Sequence, residues 1–184
     1  AYALELNQYS ANEFGLLKNS LDDFNRYVVA KVDGQLAGYV SITPPGGEKY
    51  SIDSYLNRSE WPFPADEGLY ELRLLTVVSE SRGSLIASAL MYSALRCVEA
   101  AGGNRIMAIG RSDISSMYTS VGLKDHKITL SRGAINFQLM SATVQEIRNA
   151  TSERSRMLKR LESSIDWRLE IPFKKPASCF HGGD

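Results

Sequence analysis

A strand–helix–strand segment, residues 69–110, constrains the fold of this chain most strongly. It opens with the most apolar run of the sequence, LYELRLLTVV at 69–78, and passes through an Arg-Gly-Ser turn into SLIASALMYSALRCVEAA at 84–101. The second run has helical spacing and ends at a Gly-Gly pair, and NRIMAIG at 104–110 has the character of a strand. This order requires a right-handed crossover, so the sequence predicts a parallel pair of strands.

Hairpins on either side of this segment add antiparallel strands. RYVVAKV (26–32) and QLAGYVSIT (35–43) are separated by Asp-Gly, a strong hairpin signal, and strands near 124–131 and 134–141 are joined by Arg-Gly. A short helix is expected at 112–121. The sequence therefore predicts an α+β (mixed α/β) fold with a central, mixed, mostly antiparallel sheet flanked by helices.

The two ends of the chain differ in character. YALELN at 2–7 alternates like a short strand, and a capping-box spacing opens an amphipathic helix over 10–24. From Ser141 onward, charged residues interleave with apolar ones, which predicts one amphipathic helix over 141–166, either unbroken or broken near 149–151.

This change of character divides the chain. We expect one domain at residues 1–141 and an extension or linker at residues 142–184, made of the amphipathic helix and a Pro/Gly-rich tail.

Composition limits the function classes. The chain has 184 residues, and Lys+Arg and Asp+Glu are both 21, which argues against bulk nucleic-acid binding and leaves only a local basic patch open. No run approaches the roughly 18 apolar residues of a membrane span, and no signal peptide is visible. The two distant cysteines, Cys97 and Cys179, form no disulfide framework, so we expect a cytoplasmic protein with Cys97 as a buried thiol.

The turn that precedes the central helix has the properties of an anion site. Free N–H groups at a helix N-terminus favour anions, Gly83 allows close approach of the backbone, and Arg82 adds a cation suited to phosphate oxygens. The pattern is neither a Walker loop nor a dinucleotide fingerprint. The alternative is a plain helix start with a solvated arginine.

Four stretches in order carry a family resemblance. VDGQLAGYVSI has the form of a central hairpin, and LRLLTVVSESRGSLIA has the form of a strand followed by a pyrophosphate loop, Arg/Gln-x-x-Gly-x-Gly/Ala, with Arg82 and Ala87 at its ends. ALMYSALRCVEAAGGNRIMAIG supplies the following helix and strand. SDISSMYTSVGLK keeps Tyr118 and Gly122 of the pattern Asn-x-x-Ala-x-x-Leu-Tyr-x-x-x-Gly-Phe. Over roughly residues 26–140, the chain resembles the GNAT superfamily of acyl-CoA-dependent N-acyltransferases.

The resemblance implies a donor site. The expected co-substrate is acetyl-CoA or another acyl-CoA, with its pyrophosphate bound at the loop residues Arg82, Gly83, Ser84, Leu85, Ile86 and Ala87. The backbone of Leu75 and Val77 would pair with the pantetheine arm, and an N–H there would face the thioester oxygen. Leu85 stands where the family usually has glycine, and its side chain could point into the core while its N–H serves the phosphate.

The resemblance also suggests catalytic residues. Tyr118 occupies the position whose phenol protonates the leaving CoA thiolate, unless it merely packs on the sheet. Glu71 lies where some branches carry a base, and alternation predicts that residues 71, 73, 75 and 77 share one face. The alternatives are an ion pair between Glu71 and Arg73, and Arg73 as an anion or acceptor contact.

Other chemistry-bearing residues form no recognisable site. We expect His126 to be structural or exposed, and Cys179 and His181 are too few for a zinc site, so no metal is implied. The long loop at 44–68 carries Tyr55, Trp61 and Phe63, which either line the acceptor site or form a small satellite core.

The leading hypothesis is an acetyltransferase acting on a primary amine of a small molecule or peptide. YELRLL is also similar to the Glu-x-x-Arg-like strand of N-acyl amino acid synthases and acyl-homoserine-lactone synthases, which take acyl-carrier-protein thioesters. A third hypothesis is a non-catalytic domain of a larger biosynthetic protein. A homodimer, or a fusion to another enzyme domain, is left open.

Overall fold

The fold is built on one six-stranded sheet. The computed structural model describes residues 21–47, 49–133, 135–152 and 155–169. Its strands are β1 (Arg26–Val32), β2 (Gln35–Thr43), β3 (Leu69–Val77), β4 (Arg105–Arg111), β5 (Lys124–Arg132) and β6 (Ile135–Thr143). Its helices are α1 (Ile86–Ala100), α2 (Ser115–Thr119), α3 (Val144–Ser152) and α4 (Ser155–Ser164).

The strand order confirms the predicted topology. The sheet runs β1-β2-β3-β4-β6-β5, with β3 and β4 parallel and every other neighbouring pair antiparallel. The crossover between the parallel strands is α1. At the predicted Asp-Gly hairpin, Asp33 and Gly34 both have positive φ, 50° and 79°, as the tight turn between β1 and β2 requires.

Apolar residues cover both faces of the sheet. On one face, α1 buries Leu90, Leu95 and the thiol of Cys97 against Tyr70 and Leu72, and burial raises the pKa of Cys97 to about 11. A second cluster lies on the opposite face, formed by Tyr50, Ile52, Trp61, Phe63, Leu69, Met107 and Leu139. Trp61 and Phe63 therefore belong to a satellite core built by the 44–68 loop, which contains two short 3₁₀ turns.

The C-terminal part agrees with the broken form of the predicted amphipathic helix and not with the unbroken one. Residues 141–143 complete β6, and two helices follow, of which α3 ends at Ser152 and α4 begins at Ser155. Both helices pack on the α1 side of the sheet, where Ile147 and Leu161 are buried. The predicted boundary at residue 141 thus falls inside a strand.

Polar contacts reinforce this packing. The hydroxyl of Tyr92 donates to Glu162 at 2.5 Å, and Arg148 forms an ion pair with Glu99 on α1. Trp167 packs edge-on against Tyr92 with ring centroids 6.0 Å apart. The extension is therefore held against α1 by aromatic and charged contacts as well as by its apolar side chains.

The predicted helix at 112–121 is shorter than expected. A 3₁₀ turn covers Ser112–Ile114, and only α2 is regular helix. The predicted strand at 2–7, most of the helix at 10–24, and the tail with Cys179 and His181 lie outside the described residues. Within the described ranges, no helix has both the length and the apolar character needed to cross a membrane.

Replacing Leu161 with alanine tests whether the extension shares the core. Because Leu161 is 2% exposed, we expect Leu161→Ala to lower the free energy of unfolding by about 2–5 kcal/mol in denaturant titrations. Lys159→Ala, an exposed change on the same helix, should stay within about 0.5 kcal/mol of the parent. Equal effects of the two changes would show that α4 does not pack as described.

Candidate active site

A cleft opens where β3 and β4 separate. The two strands pair only from Leu69↔Arg105 to Leu72↔Ala108, after which β3 continues beside β2 and β4 continues beside β6. The resulting wedge has a volume of about 380 Å³. From Arg73 onward, the edge of β3 that faces β4 has no strand beside it, so its backbone groups can pair with an extended ligand.

A bulge in β3 lies at the point of separation. Arg73 pairs with Ser41 and Thr76 pairs with Tyr39, so β3 holds one more residue than β2 between these pairs. Leu74 takes up the extra length in a left-handed conformation, φ 54°, which is strained for a leucine. Such a bulge re-aims the residues that follow it.

The bulge corrects the predicted alternation along β3. Leu75 and Val77 pack against the α1-side cluster that contains Leu72, so they do not share a face with Glu71 and Arg73. Gly38 on β2 allows this arrangement, because a Cβ there would lie 2.6 Å from the carbonyl oxygen of Thr76. The sequence does not predict this bulge, because position 74 holds an ordinary leucine and no glycine marks the left-handed conformation.

The Arg-Gly-Ser turn closes one end of the cleft. Gly83 has φ 79°, and a Cβ added there would meet nothing within 4 Å, so glycine is needed for its conformation and leaves open space beside the backbone. Arg82 lines the cleft and donates through Nε to the carbonyl of Val77 at 3.3 Å. Behind them, the first turn of α1 presents backbone N–H groups that have no helical acceptor.

The side chain of Leu85 does not turn into the core, contrary to the possibility that the sequence left open. It stands at the N-cap of α1, and its side chain is 37% exposed. The helix begins at Ile86, whose N–H bonds to the hydroxyl of Ser84 at 3.3 Å. Ala87, at the end of the loop pattern, lines the cleft.

Tyr118 faces the same cleft from α2. Its ring lies against Gly110 of β4, where a Cβ would come within 2.7 Å of the ring, so this glycine makes room for the tyrosine. Burial raises the pKa of Tyr118 to about 12, and its hydroxyl bonds to no residue that the structure describes. The phenol is therefore protonated at neutral pH and available to a ligand. Sequence analysis missed the role of Gly110, which only the folded arrangement shows.

Glu71 lies apart from this cleft. It is fully buried under the 44–68 loop, where one carboxylate oxygen accepts from the backbone N–H of Ser51 at 2.9 Å and the other from the Ser51 hydroxyl. Burial raises its pKa, and the charge of Arg73 opposes that rise without a direct ion pair. The structure does not bring Glu71 together with Tyr118.

Three arginines line the cleft: Arg73, Arg82 and Arg111. Arg111, at the end of β4, forms a two-bond ion pair with Asp113, at 3.0 and 2.6 Å. His126 is a structural residue, as expected, because its Nε2 is 2.8 Å from the Ser141 hydroxyl and its ring packs on Phe63.

Several solved structures with this architecture are acyltransferases. The CoA-dependent acyl-homoserine lactone synthase BjaI, solved with SAM and isopentyl-CoA, superposes with a TM-score of 0.68 at 16% identity, covering 83% of this chain and 75% of its own. FeeM, an N-acyl amino acid synthase from uncultured soil microbes, superposes with a TM-score of 0.60 at 16% identity, covering 73% of this chain and 84% of its own. An aminoglycoside 6′-N-acetyltransferase complexed with coenzyme A superposes with a TM-score of 0.50 at 16% identity, covering 67% of this chain and 75% of its own.

Sequence comparison assigns the family. No curated protein matches the chain significantly, whereas the family model for the acetyltransferase (GNAT) family matches residues 3–117. The match spans β1 to β4 and the Arg-Gly-Ser turn, and it ends one residue before Tyr118. Because it covers more than half of the chain, and the fold agrees, this protein belongs to the acetyltransferase (GNAT) family of acyltransferases.

Proposed function

We propose that this protein transfers an acyl group from acyl-CoA, in the simplest case acetyl-CoA, to the primary amine of a small molecule or peptide by direct attack. One observation carries the proposal. A single cleft brings together the unpaired edge of β3, the turn at 82–87 and the protonated phenol of Tyr118. These are the groups that a bound thioester needs.

The residues of the cleft fit the donor. Enzymes of this family use acyl-CoA as co-substrate, and the thioester supplies the activated acyl group. Arg82, the open backbone at Gly83 and the N–H groups of residues 84–87 suit a pyrophosphate. The backbone of Leu75 and Val77, beyond the bulge, suits an amide-bearing pantetheine arm, and an N–H at this edge would stabilise negative charge on the thioester oxygen.

Tyr118 would complete the transfer. As the amine nitrogen bonds to the acyl carbon, the carbon–sulfur bond breaks and sulfur leaves as a thiolate. The phenol of Tyr118 donates its proton to that sulfur, and the surplus amine proton passes through solvent to restore the phenol. We propose that Glu71 acts as a positioning residue. It lies outside the cleft, accepts hydrogen bonds from Ser51, and its charge interacts with that of Arg73.

A second donor is favoured by one residue. Leu85 places an exposed side chain at the turn where close approach of a phosphate would profit from glycine. A carrier-protein thioester has no adenosine pyrophosphate to seat there, so this candidate donor would depend on the pantetheine arm alone. The third hypothesis, a non-catalytic domain, is not favoured, because the cleft is lined by a protonated phenol that bonds to none of the described residues.

Titration calorimetry with CoA and acetyl-CoA separates the two donors. We expect CoA to bind with a Kd in the micromolar range and to outcompete pantetheine, because the pyrophosphate contacts add affinity. Equal affinities for CoA and pantetheine would instead favour the carrier-protein donor.

Removing the phenolic hydroxyl tests the proposed acid. We expect Tyr118→Phe to lower kcat roughly 100-fold while the Kd for CoA stays unchanged, measured by release of free thiol and by calorimetry. Tyr27→Phe, a matched change at an exposed tyrosine of β1 outside the cleft lining, should keep the parent rate. Full activity in Tyr118→Phe would remove this residue from the mechanism.

The raised pKa of Tyr118 gives a second test. Its pKa is about 12 instead of the ordinary 10, so the phenol stays protonated, and able to act as an acid, throughout the usual pH range of an assay. We expect the ratio of kcat between the parent and Tyr118→Phe to stay constant from neutral pH to pH 10. A ratio that declines with a midpoint at or below 10 would show that the phenol is not buried as described.

The buried carboxyl of Glu71 predicts a pH-dependent stability. Because its pKa in the folded state is raised above 4.5, the stability that it contributes is present below pH 4.5 and is lost as pH rises toward the folded-state value. Relative to Glu71→Gln, the parent should lose up to about 1.4 kcal/mol of unfolding free energy per pH unit in that window, measured by urea titration. The exposed change Glu67→Gln should show no such trend. If Glu71→Gln leaves the pH dependence unaltered, Glu71 is not the buried group described.

A further inference from the structure

We propose that Arg73 binds a carboxylate of the acceptor, so that the acceptor is an amine that also carries a carboxylate, as an α-amino acid does. This inference rests on the proposed function. The observation behind it is that the guanidinium of Arg73, which lines the cleft, has a buried N–H group with no hydrogen-bond acceptor among the described residues.

Arg73 is the cleft arginine without a bonding partner among the described residues. Its Nη1 is buried and has no hydrogen-bond acceptor, although the side chain lines the cleft. Buried donors in native proteins are almost always bonded, so an unbonded guanidinium nitrogen indicates a missing acceptor. Glu71, whose carboxyl group feels the charge of Arg73, is already bonded to Ser51.

The other arginines of the cleft add positive charge beside Arg73. Ser41 stands directly opposite Arg73 on β2, so the two side chains lie on one face of the sheet, but Ser41 is fully buried and does not line the cleft. Arg82 belongs to the turn, and Arg111 is paired with Asp113. The lining of the cleft contains three arginines and no carboxylate, so its charge favours an anionic ligand.

The position of Arg73 in β3 specifies which part of the reaction it serves. It immediately precedes the bulge at Leu74, where the edge of β3 becomes free and the thioester is proposed to lie. In an α-amino acid, one carbon separates the amine from the carboxylate. A carboxylate bonded to Arg73 therefore delivers its amine next to the acyl carbon. The planar fork of arginine suits two parallel bonds to a carboxylate.

The direct test compares acceptors that differ only in the carboxylate. The parent protein is assayed with acetyl-CoA against a panel of amino acids and, for each, the corresponding decarboxylated amine. We expect kcat/KM to be about 10- to 100-fold higher for the carboxylated member of at least one pair, with the difference mainly in KM. This comparison needs no variant, so it does not depend on whether a substitution folds.

Variants then assign the preference to Arg73. Arg73→Gln should abolish the preference by raising KM for the carboxylated amine, and should leave the decarboxylated amine and the Kd for CoA unchanged. Arg73→Lys, which keeps the charge and loses the fork, should fall between the two. Arg168→Gln, the same change at an exposed site, should match the parent.

The outcomes separate this inference from the proposed function. Acyl transfer to amines without preference for a carboxylate would overturn the inference and leave acyl transfer standing. Weaker CoA binding in Arg73→Gln would assign Arg73 to the donor, and an equal loss for both members of a pair would assign it a structural role; either overturns the inference. No transfer to any amine, together with no CoA binding, would overturn both.

Discussion

The separation of β3 from β4 is the feature on which the rest of the site depends. Parallel pairing holds the strands together up to Leu72 and Ala108, and the bulge at the left-handed Leu74 follows, beyond which β3 remains paired with β2. One edge of β3 is then free, and Leu75 and Val77 pack on the α1 side. A strained leucine costs roughly 1–3 kcal/mol. The packing of α1 against Gly38 and Leu72 maintains that conformation, so the strain is stored where the cleft opens.

Several layers of the fold support the strained residue Leu74 and the cleft beside it. α1 crosses from β3 to β4 and begins at the turn that lines the cleft, so the position of the turn follows from the packing of the helix. The helices α3 and α4 brace the outer side of α1 through Tyr92, Glu99 and their partners. The satellite core supports the opposite face of the sheet and buries Glu71. Of these layers, α1 lines the cleft directly through Ala87 and Met91, and α3, α4 and the buried residues of the satellite core support the sheet and α1 from outside the cleft.

Much of this architecture could be predicted from the sequence, because it rests on local signals. Periodicity and turn residues indicated the crossover helix and both hairpins, and the motif around Tyr118 indicated its place at the cleft. The bulge could not be predicted, because position 74 carries an ordinary leucine whose conformation is imposed by its neighbours. The exposed side chain of Leu85 and the separation of Glu71 from Tyr118 likewise depend on tertiary packing that no local pattern encodes.

The central claim is that the cleft between β3 and β4 binds acyl-CoA. A crystal structure of the protein with CoA tests it most directly. We expect the pantetheine arm to lie along β3 beyond the bulge, the pyrophosphate to contact residues 82–87, and the sulfur to lie within hydrogen-bonding distance of the Tyr118 hydroxyl. CoA bound elsewhere on the protein, with the cleft empty or closed, would contradict the account.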